Sequence, residues 1–331
     1  MFDITVAIPA QDEAETIEAA LTAIVAGAGE TQGSIGIVVL ANCCTDGTAD
    51  FVGRFARRAP THVGLIECDL PAERSDAGRA RLLAMEAAAA LTRAGGLILS
   101  TDADATLNEG TLGEVECAMA QGADLVCGTI DTELPPDISF APSIRRIDGI
   151  TSDYRRSAFE VRHAIDRIFG LQPPGPCPHY VEAGACVAVR TDFLRRIGGI
   201  PDVPHGEDRA LLRRAEMFNG RVVYADRAGA LVSPRLVGRA VGGMADAIRS
   251  RLRDPDPLAD EALLSCEDIQ RDWADAIAAL GNDRRPVVRE AEPQLRASDL
   301  ERDLPSLRRF VEEVVRPDLA VIERGSVSCS A

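Results

Sequence analysis

The sequence predicts an α/β fold: a mostly parallel sheet flanked by helices, with a helical appendage at its C-terminal end. Three observations carry this. Strand and helix signals alternate from residue 4 to residue 128, the pattern of a parallel sheet covered on both faces. Two carboxylates, Asp102 and Asp104, follow a short apolar run, and ligands of open α/β sheets bind beyond the carboxyl ends of strands. From about residue 237 onward the chain is charged, helical in pattern and punctuated by proline.

Residues 4–8 are an apolar run ended by Pro9, and residues 13–25 then place Ile17, Leu21 and Ile24 at helical spacing. Residues 35–40 read as a second strand, 49–58 as a helix and 63–67 as a third strand. An alanine-rich helix with a basic start covers 78–93, and the fourth strand, 96–101, is apolar throughout its centre, as a doubly covered parallel strand should be. A helix over 108–121 and a strand over 123–128 complete this half. Between 132 and 180 seven prolines break the pattern around one helical stretch, 147–169, so this segment reads as an insertion over the sheet, where specificity often resides. Regular signals return with a strand at 183–190, a helix at 191–197 closed by Gly198-Gly199, a helix at 208–219 and a strand at 221–225. The expected division is a domain over 1–235, with the 132–180 insertion on its acceptor side, and a helical extension over 236–331.

The bulk properties narrow the function. The net charge of −16 argues against a sequence-independent grip on nucleic acid, which works by neutralising phosphates, and against an electrostatic hold on anionic lipid. Nine cysteines at irregular spacing form no Cys-x-x-Cys pairs, which excludes a structural zinc site of the usual spacing and suits a reducing cytoplasm. No apolar run reaches the ~20 residues that span a bilayer, and the first residues, Met1-Phe2-Asp3-Ile4, lack a basic stretch ahead of an apolar one, so no signal peptide is expected.

If the chain stays extended through Asp102-Ala103-Asp104, both carboxylates share a face at the strand's carboxyl end. Carboxylate oxygens suit a hard cation, and Mg2+ takes only one or two of them beside substrate phosphates. Three further segments stand out. They are Val6-Ala7-Ile8-Pro9-Ala10-Gln11-Asp12-Glu13, Ala41-Asn42-Cys43-Cys44-Thr45-Asp46-Gly47-Thr48, and Gly206-Glu207-Asp208, the last preceded by Glu182-Ala183-Gly184. Each has a bland reading. Asp46-Gly47 is a common turn with Thr48 as a helix cap, Arg79 and Arg81 are solvated arginines at a helix start, and Glu207-Asp208 is ordinary helix N-terminal acidity.

In order and spacing, the four segments resemble the A-type nucleotide-sugar glycosyltransferases (GT-A fold), family 2 in particular, over roughly residues 4 to 230. This chain departs from the family pattern at Asp12, where Asn is usual. The resemblance implies a Mn2+- or Mg2+-dependent transfer of one sugar from a nucleotide-diphosphate sugar to a small or lipid-linked acceptor. It implies a donor pocket shaped by Pro9, Ala10, Glu13, Asn42 and Asp46, with Arg79 or Arg81 abutting the nucleotide. Asn42 stands where the family often has Asp, which leaves the base open between uracil and guanine. Asp102 would contact ribose or metal, and Asp104 would ligate the metal. Asp208, with Glu207 beside it, would take the acceptor proton in an inverting reaction. Arg235 and Arg239 are candidates for the diphosphate, and His179 and His205 for acceptor or metal contacts. Trp273 reads as an anchor of the helical tail. No integral membrane segment and no nucleic-acid partner are expected, and a homodimer is the candidate assembly. Two rivals remain: a nucleotidyltransferase forming a nucleotide sugar, against which the acidic, glycine-free turn at residues 9–13 counts, and a non-catalytic homologue that binds nucleotide sugars.

Overall fold

In the computed structural model, which describes residues 1–71, 76–203, 206–234, 244–281 and 294–328, the apolar runs of the first half fold as strands. They are β1 (Phe2–Ala10), β2 (Ile35–Asn42), β3 (His62–Cys68), β4 (Thr92–Ser100), β5 (Ala105–Leu107), β6 (Leu125–Asp131), β7 (Val187–Arg190) and β8 (Val222–Val232). They join one sheet in the order β3-β2-β1-β4-β7-β6-β8-β5. The first four are mutually parallel, while β7 and β5 run antiparallel to their neighbours. Helices α1 (Ile17–Gly27), α2 (Thr48–Ala56), α3 (Ala77–Leu91), α4 (Thr111–Ala120), α5 (Pro136–Ser139), α6 (Pro142–Ile168), α7 (Thr191–Arg196) and α8 (Glu207–Met217) connect or follow them.

Strand alternation sorts the core into two layers. Val6, Ile8, Ile37, Val39, Leu97 and Leu99 pack with Ile17, Leu21 and Leu112 of α1 and α4. Ala7, Leu40, Ile98, Cys127 and Val189 pack with Met85 of α3, Phe193 of α7 and Leu211 of α8. Burial on both faces is why these strands read as continuous apolar runs. The register places Ala10 beside Ala41, Asn42 beside Cys68, and Ala7 beside Ser100. The carboxyl ends of β1 to β4 therefore share one edge of the sheet. Because β7 is reversed and pairs Val187 with Ser100, the turn that precedes it lies on that same edge.

Several expectations shift in detail. The first helix starts at Ile17 rather than residue 13, with the Glu13 and Ala14 amides held by Thr48 and Asp46 of the loop after β2. The strand expected at 183–190 opens with a 3-10 turn, Gly184–Cys186, and only Val187–Arg190 pairs. The last strand runs to Val232, and β5 was not anticipated. The chain does not stay extended through the Asp-x-Asp segment. β4 ends at Ser100, and the Ala105 amide donates to the Asp102 carbonyl at 3.2 Å, closing a turn. Burial alternates through it all the same, with Thr101, Ala103 and Ala105 buried and Asp102 and Asp104 half-buried.

The chain divides into two compact units, Met1–Glu133 with His179–Pro234, and Leu134–Pro178 with Arg235–Ala331. The insertion thus groups with the C-terminal segment, not with the sheet domain to which the sequence assigned it. In the second unit α6 and α5 are joined by α9 (Met244–Arg253), α10 (Cys266–Ala278), α11 (Ala297–Phe310) and α12 (Arg316–Ser328), with a π-helical turn, Val311–Val315, between the last two. Its core gathers Tyr154, Val161, Ile165, Trp273, Leu300 and Leu307. The buried Tyr154 hydroxyl donates to the Leu264 carbonyl at 2.9 Å. No helix among the described residues is long and apolar enough to cross a membrane.

Candidate active site

The loops after β1 and β2 are laced together by side chains. The Thr48 hydroxyl accepts from the Glu13 amide at 2.7 Å and donates to Asp46 Oδ1 at 2.5 Å, and Asp46 Oδ2 accepts from the Ala14 amide at 2.9 Å. Asp12 sits at φ +53°, a left-handed conformation that Asp tolerates, and its carboxylate accepts from the Thr45 amide at 2.6 Å. That contact gives Asp12 a structural role. Burial opposes charge on Asp46, but the hydrogen bonds from Thr48 and Ala14 prevail and hold its pKa below the ordinary range. Thr16 donates to the Glu13 carboxylate at 2.6 Å. Asn42 is buried, and its carboxamide oxygen accepts from the Leu70 amide at 3.1 Å. Ala10 is buried at the end of β1, and Pro9 beside it is half-buried.

The centre of the site is Arg81, on the first turns of α3. Its guanidinium donates through Nε to Glu207 Oε1 at 2.6 Å and through Nη2 to Asp102 Oδ1 at 2.7 Å. Through Nη1 it reaches Ser100 Oγ at 2.8 Å and the Gly184 carbonyl at 3.0 Å. The residue is only 9% exposed. Burial works against its charge, yet Asp102 and Glu207 outweigh that and raise its pKa. Gly184 lies flat against the guanidinium, where a Cβ would stand 2.5 Å from Arg81 Cζ. Only glycine admits so close an approach.

Glu207 and Asp208 head α8 after Gly206, whose φ of +68° turns the chain into the helix. Asp208 Oδ2 accepts from the Gly184 amide at 2.9 Å and Oδ1 from the Arg209 amide at 2.8 Å. Burial first, and the charge of Glu207 second, push the Asp208 carboxyl above the ordinary aspartate range in spite of Arg81 and these two donors. A cavity of about 10 Å³ lies among Arg81, Ser100, Gly184, Glu207 and Asp208. The Gly184 peptide thus serves both groups, its carbonyl on Arg81 and its amide on Asp208.

Asp104 is half-buried in the turn beyond β4, and its carbonyl accepts from the Ser233 amide at 3.0 Å. Among the described residues, no cluster of three or more His, Cys, Asp or Glu side chains could hold a metal ion. Asp102 and Asp104 offer two hard oxygen ligands, the number that Mg2+ commonly takes from a protein when other ligands fill its shell. A closed, all-protein metal cage does not fit.

Two predicted contacts lie apart from this centre. Arg79 Nη1 pairs with Asp202 at 3.1 Å, and both side chains are partly exposed. His179 stands edge-on to Tyr224, with ring centroids 5.5 Å apart, and its Nδ1 accepts from the Val181 amide at 3.0 Å. Tyr224 also contacts Tyr180, at 4.7 Å between centroids, and donates to Glu182 at 3.0 Å. His205, Arg235 and Arg239 fall outside the described residues. The sequence missed Arg81 as the link between the two acid pairs, marked Gly184 without a role, and gave Ser100 no part in the site. Residues two apart do not share a helix face, so of Arg79 and Arg81 only Arg81 shares a face with the core residues Met85 and Ala88, four and seven positions on. That spacing was the available signal.

The sequence model of glycosyl transferase family 2 matches residues 5–198. No curated protein matches the chain. Among solved structures, the mannosyltransferase PcManGT from Pyrobaculum calidifontis, in complex with GDP-Man and Mn2+, is similar with a TM-score of 0.51 at 18% identity, over 100% of this chain and 81% of that one. That likeness is one of fold. S. aureus TarS 1-349 in complex with UDP-GlcNAc matches with a TM-score of 0.47 at 16% identity, over 93% of this chain and 72% of that one.

Proposed function

The chain belongs to glycosyl transferase family 2, and we propose that it moves one sugar from a nucleoside-diphosphate sugar to an acceptor hydroxyl, with inversion at the anomeric carbon. The observation that carries this reading is the buried Arg81 guanidinium. By holding Asp102 and Glu207 at 2.7 and 2.6 Å, it brings the acids after β4 and those heading α8 to one place.

In this reading the loops after β1 and β2, with Pro9, Ala10, Glu13 and Asn42, form the nucleoside side of the site. Asp46 keeps those loops together, and Arg79 serves the donor from the start of α3. Mn2+ or Mg2+, held by Asp104 and Asp102, would neutralise charge on the donor's phosphates. Asp208 accepts the acceptor's hydroxyl proton as that oxygen bonds to the anomeric carbon. The bond from that carbon to the phosphate oxygen breaks, and its electron pair leaves with the nucleoside diphosphate. A raised pKa suits a general base, because it brings the carboxylate nearer the proton affinity the transfer needs. Arg81 acts through the carboxylates and does not touch the sugar, since four of its donor contacts are already committed within the chain. The described cysteines are all free thiols, in keeping with a cytoplasmic enzyme; the family resemblance is what favours a small or lipid-linked acceptor.

The test is release of nucleoside diphosphate from a panel of UDP- and GDP-sugars by the purified chain with Mn2+, compared with Asp208→Asn, with the product's anomeric configuration read by NMR. The reading expects turnover with one donor, a loss of about 10²-fold or more in the variant, and an inverted product. Unchanged turnover in the variant would remove the base assignment, and a retained configuration would remove the mechanism.

A further inference from the structure

We propose that the groove between α6 and α12 in the helical unit binds an elongated amphiphile with an anionic head group, a phosphate monoester or a carboxylate. The groove has a volume of about 590 Å³, within the range of small-molecule sites. One wall is a single face of α6, carrying Arg156, Phe159, Glu160, His163, Ala164 and Arg167. The other is a face of α12 and the turn before it, with Val315, Arg316, Leu319, Ala320 and Glu323. The loop from Gly175 to Pro178 closes a third side.

Two chemistries meet in it. Ala164 and Val315 belong to the unit's buried core, so the floor is continuous with apolar interior, and Phe159 and Leu319 extend it. Against that floor stand three arginines and only two glutamates, in a chain whose net charge is −16. Arg316 grips both oxygens of Glu160, at 2.6 and 3.1 Å, and Arg167 pairs with Glu323. These pairs leave positive charge over. Among the described residues Arg156 pairs with Asp153 at 3.6 Å, on an exposed surface. Arg167 Nε is buried with no hydrogen-bond partner among the described residues. A buried donor left unmet is costly, and an anion seated beside it would satisfy it. Burial lowers the His163 pKa, so that ring adds apolar surface and little charge near neutral pH.

The backbone is specialised at the same place. The π-helical turn Val311–Val315 accommodates one extra residue. It turns everything beyond it by about 100° relative to a continuous α-helix, and this sets which side of α12 faces α6. The groove is lined by the 132–180 insertion, where specificity was expected, and by the C-terminal helices. The proposal does not depend on glycosyl transfer, and its test reads binding alone.

The experiment is calorimetric titration of the full chain with octyl phosphate and with octanoate, below their aggregation limits, against octanol and inorganic phosphate as controls. Saturable one-to-one binding of either anionic amphiphile, at least about tenfold tighter than either control, is expected. It should weaken by about tenfold in Arg167→Met, the loss of one charge-assisted contact, and vanish in Leu319→Glu. Ala320→Trp, at an exposed position, blocks the groove should Leu319→Glu fail to fold. No saturable binding of either anion, equal binding of octanol or of phosphate, or unchanged binding in folded Leu319→Glu or Ala320→Trp would each overturn the proposal.

Discussion

Arg81→Met should be among the most damaging single changes in the sheet domain. In the parent, one guanidinium is shared by Asp102, Glu207, Ser100 Oγ and the Gly184 carbonyl. Methionine fills similar volume but leaves the Glu207 carboxylate, whose side chain is 7% exposed, without its cation. Breaking a buried ion pair by removing one partner costs about 3–5 kcal/mol. Asp102, with its side chain 31% exposed, keeps solvent and adds less. A loss of about 3–5 kcal/mol is large against the total of roughly 5–15 kcal/mol typical of a folded domain. Urea unfolding followed by far-UV circular dichroism reads it. The protein's single tryptophan, Trp273, lies in the helical unit and would miss the event. Adding Glu207→Gln to Arg81→Met removes the stranded charge and should recover a good part of the loss, the signature of a coupled pair. An Arg81→Met protein within about 1 kcal/mol of the parent, or no recovery in the double variant, would refute the claim that this cluster is a tightly coupled, buried unit.

Asp208→Asn should cut turnover by about 10²-fold or more, with a modest loss of stability because asparagine keeps only one of the two oxygens that accept the Gly184 and Arg209 amides. A carboxyl whose folded pKa lies above its unfolded value favours the folded state while protonated, and that advantage is lost as pH rises from the ordinary aspartate range through the raised pKa. The parent's stability should fall over that window and the variant's should not, as unfolding at a series of pH values would read. Gly184→Ala, which sets a Cβ 2.5 Å from Arg81 Cζ, should weaken both stability and donor-driven thermal shifts, because the same peptide holds Asp208. A fully parental Gly184→Ala would contradict the close approach. Tyr154→Phe strands the Leu264 carbonyl in the core and should cost about 1–3 kcal/mol, read by Trp273 fluorescence.

Much of the fold was legible because burial on both faces writes parallel strands as unbroken apolar runs. Val6, Ile37 and Leu99 could sit nowhere but in such a strand. The short β5 was not legible, since its three residues owe their conformation to pairing with β8 across more than a hundred residues. Nor was the 3-10 turn at Gly184, which depends on Arg81 and Asp208 arriving from two other helices. Residues 13–16 read as helix by composition, but Thr48 and Asp46 capture the Glu13 and Ala14 amides. The acid pairs were visible as motifs. What joins them was not, because a buried arginine and a solvated one look alike in a sequence until the face they occupy is known. The grouping of α6 with the C-terminal helices rests on Tyr154, Trp273 and Leu300 meeting in one core, a long-range fact with no local signature.

The most direct test of the central claim, that this chain holds a nucleotide-sugar donor at Asp102 and Asp104, is thermal unfolding with Mn2+ and a panel of nucleoside diphosphates, repeated on Asp104→Ala. A nucleotide at about a hundred times its dissociation constant stabilises the folded state by roughly 2.7 kcal/mol. The account predicts a metal-dependent rise in Tm with one base, absent in the variant. No shift with any nucleotide, or a shift that survives Asp104→Ala, would contradict it.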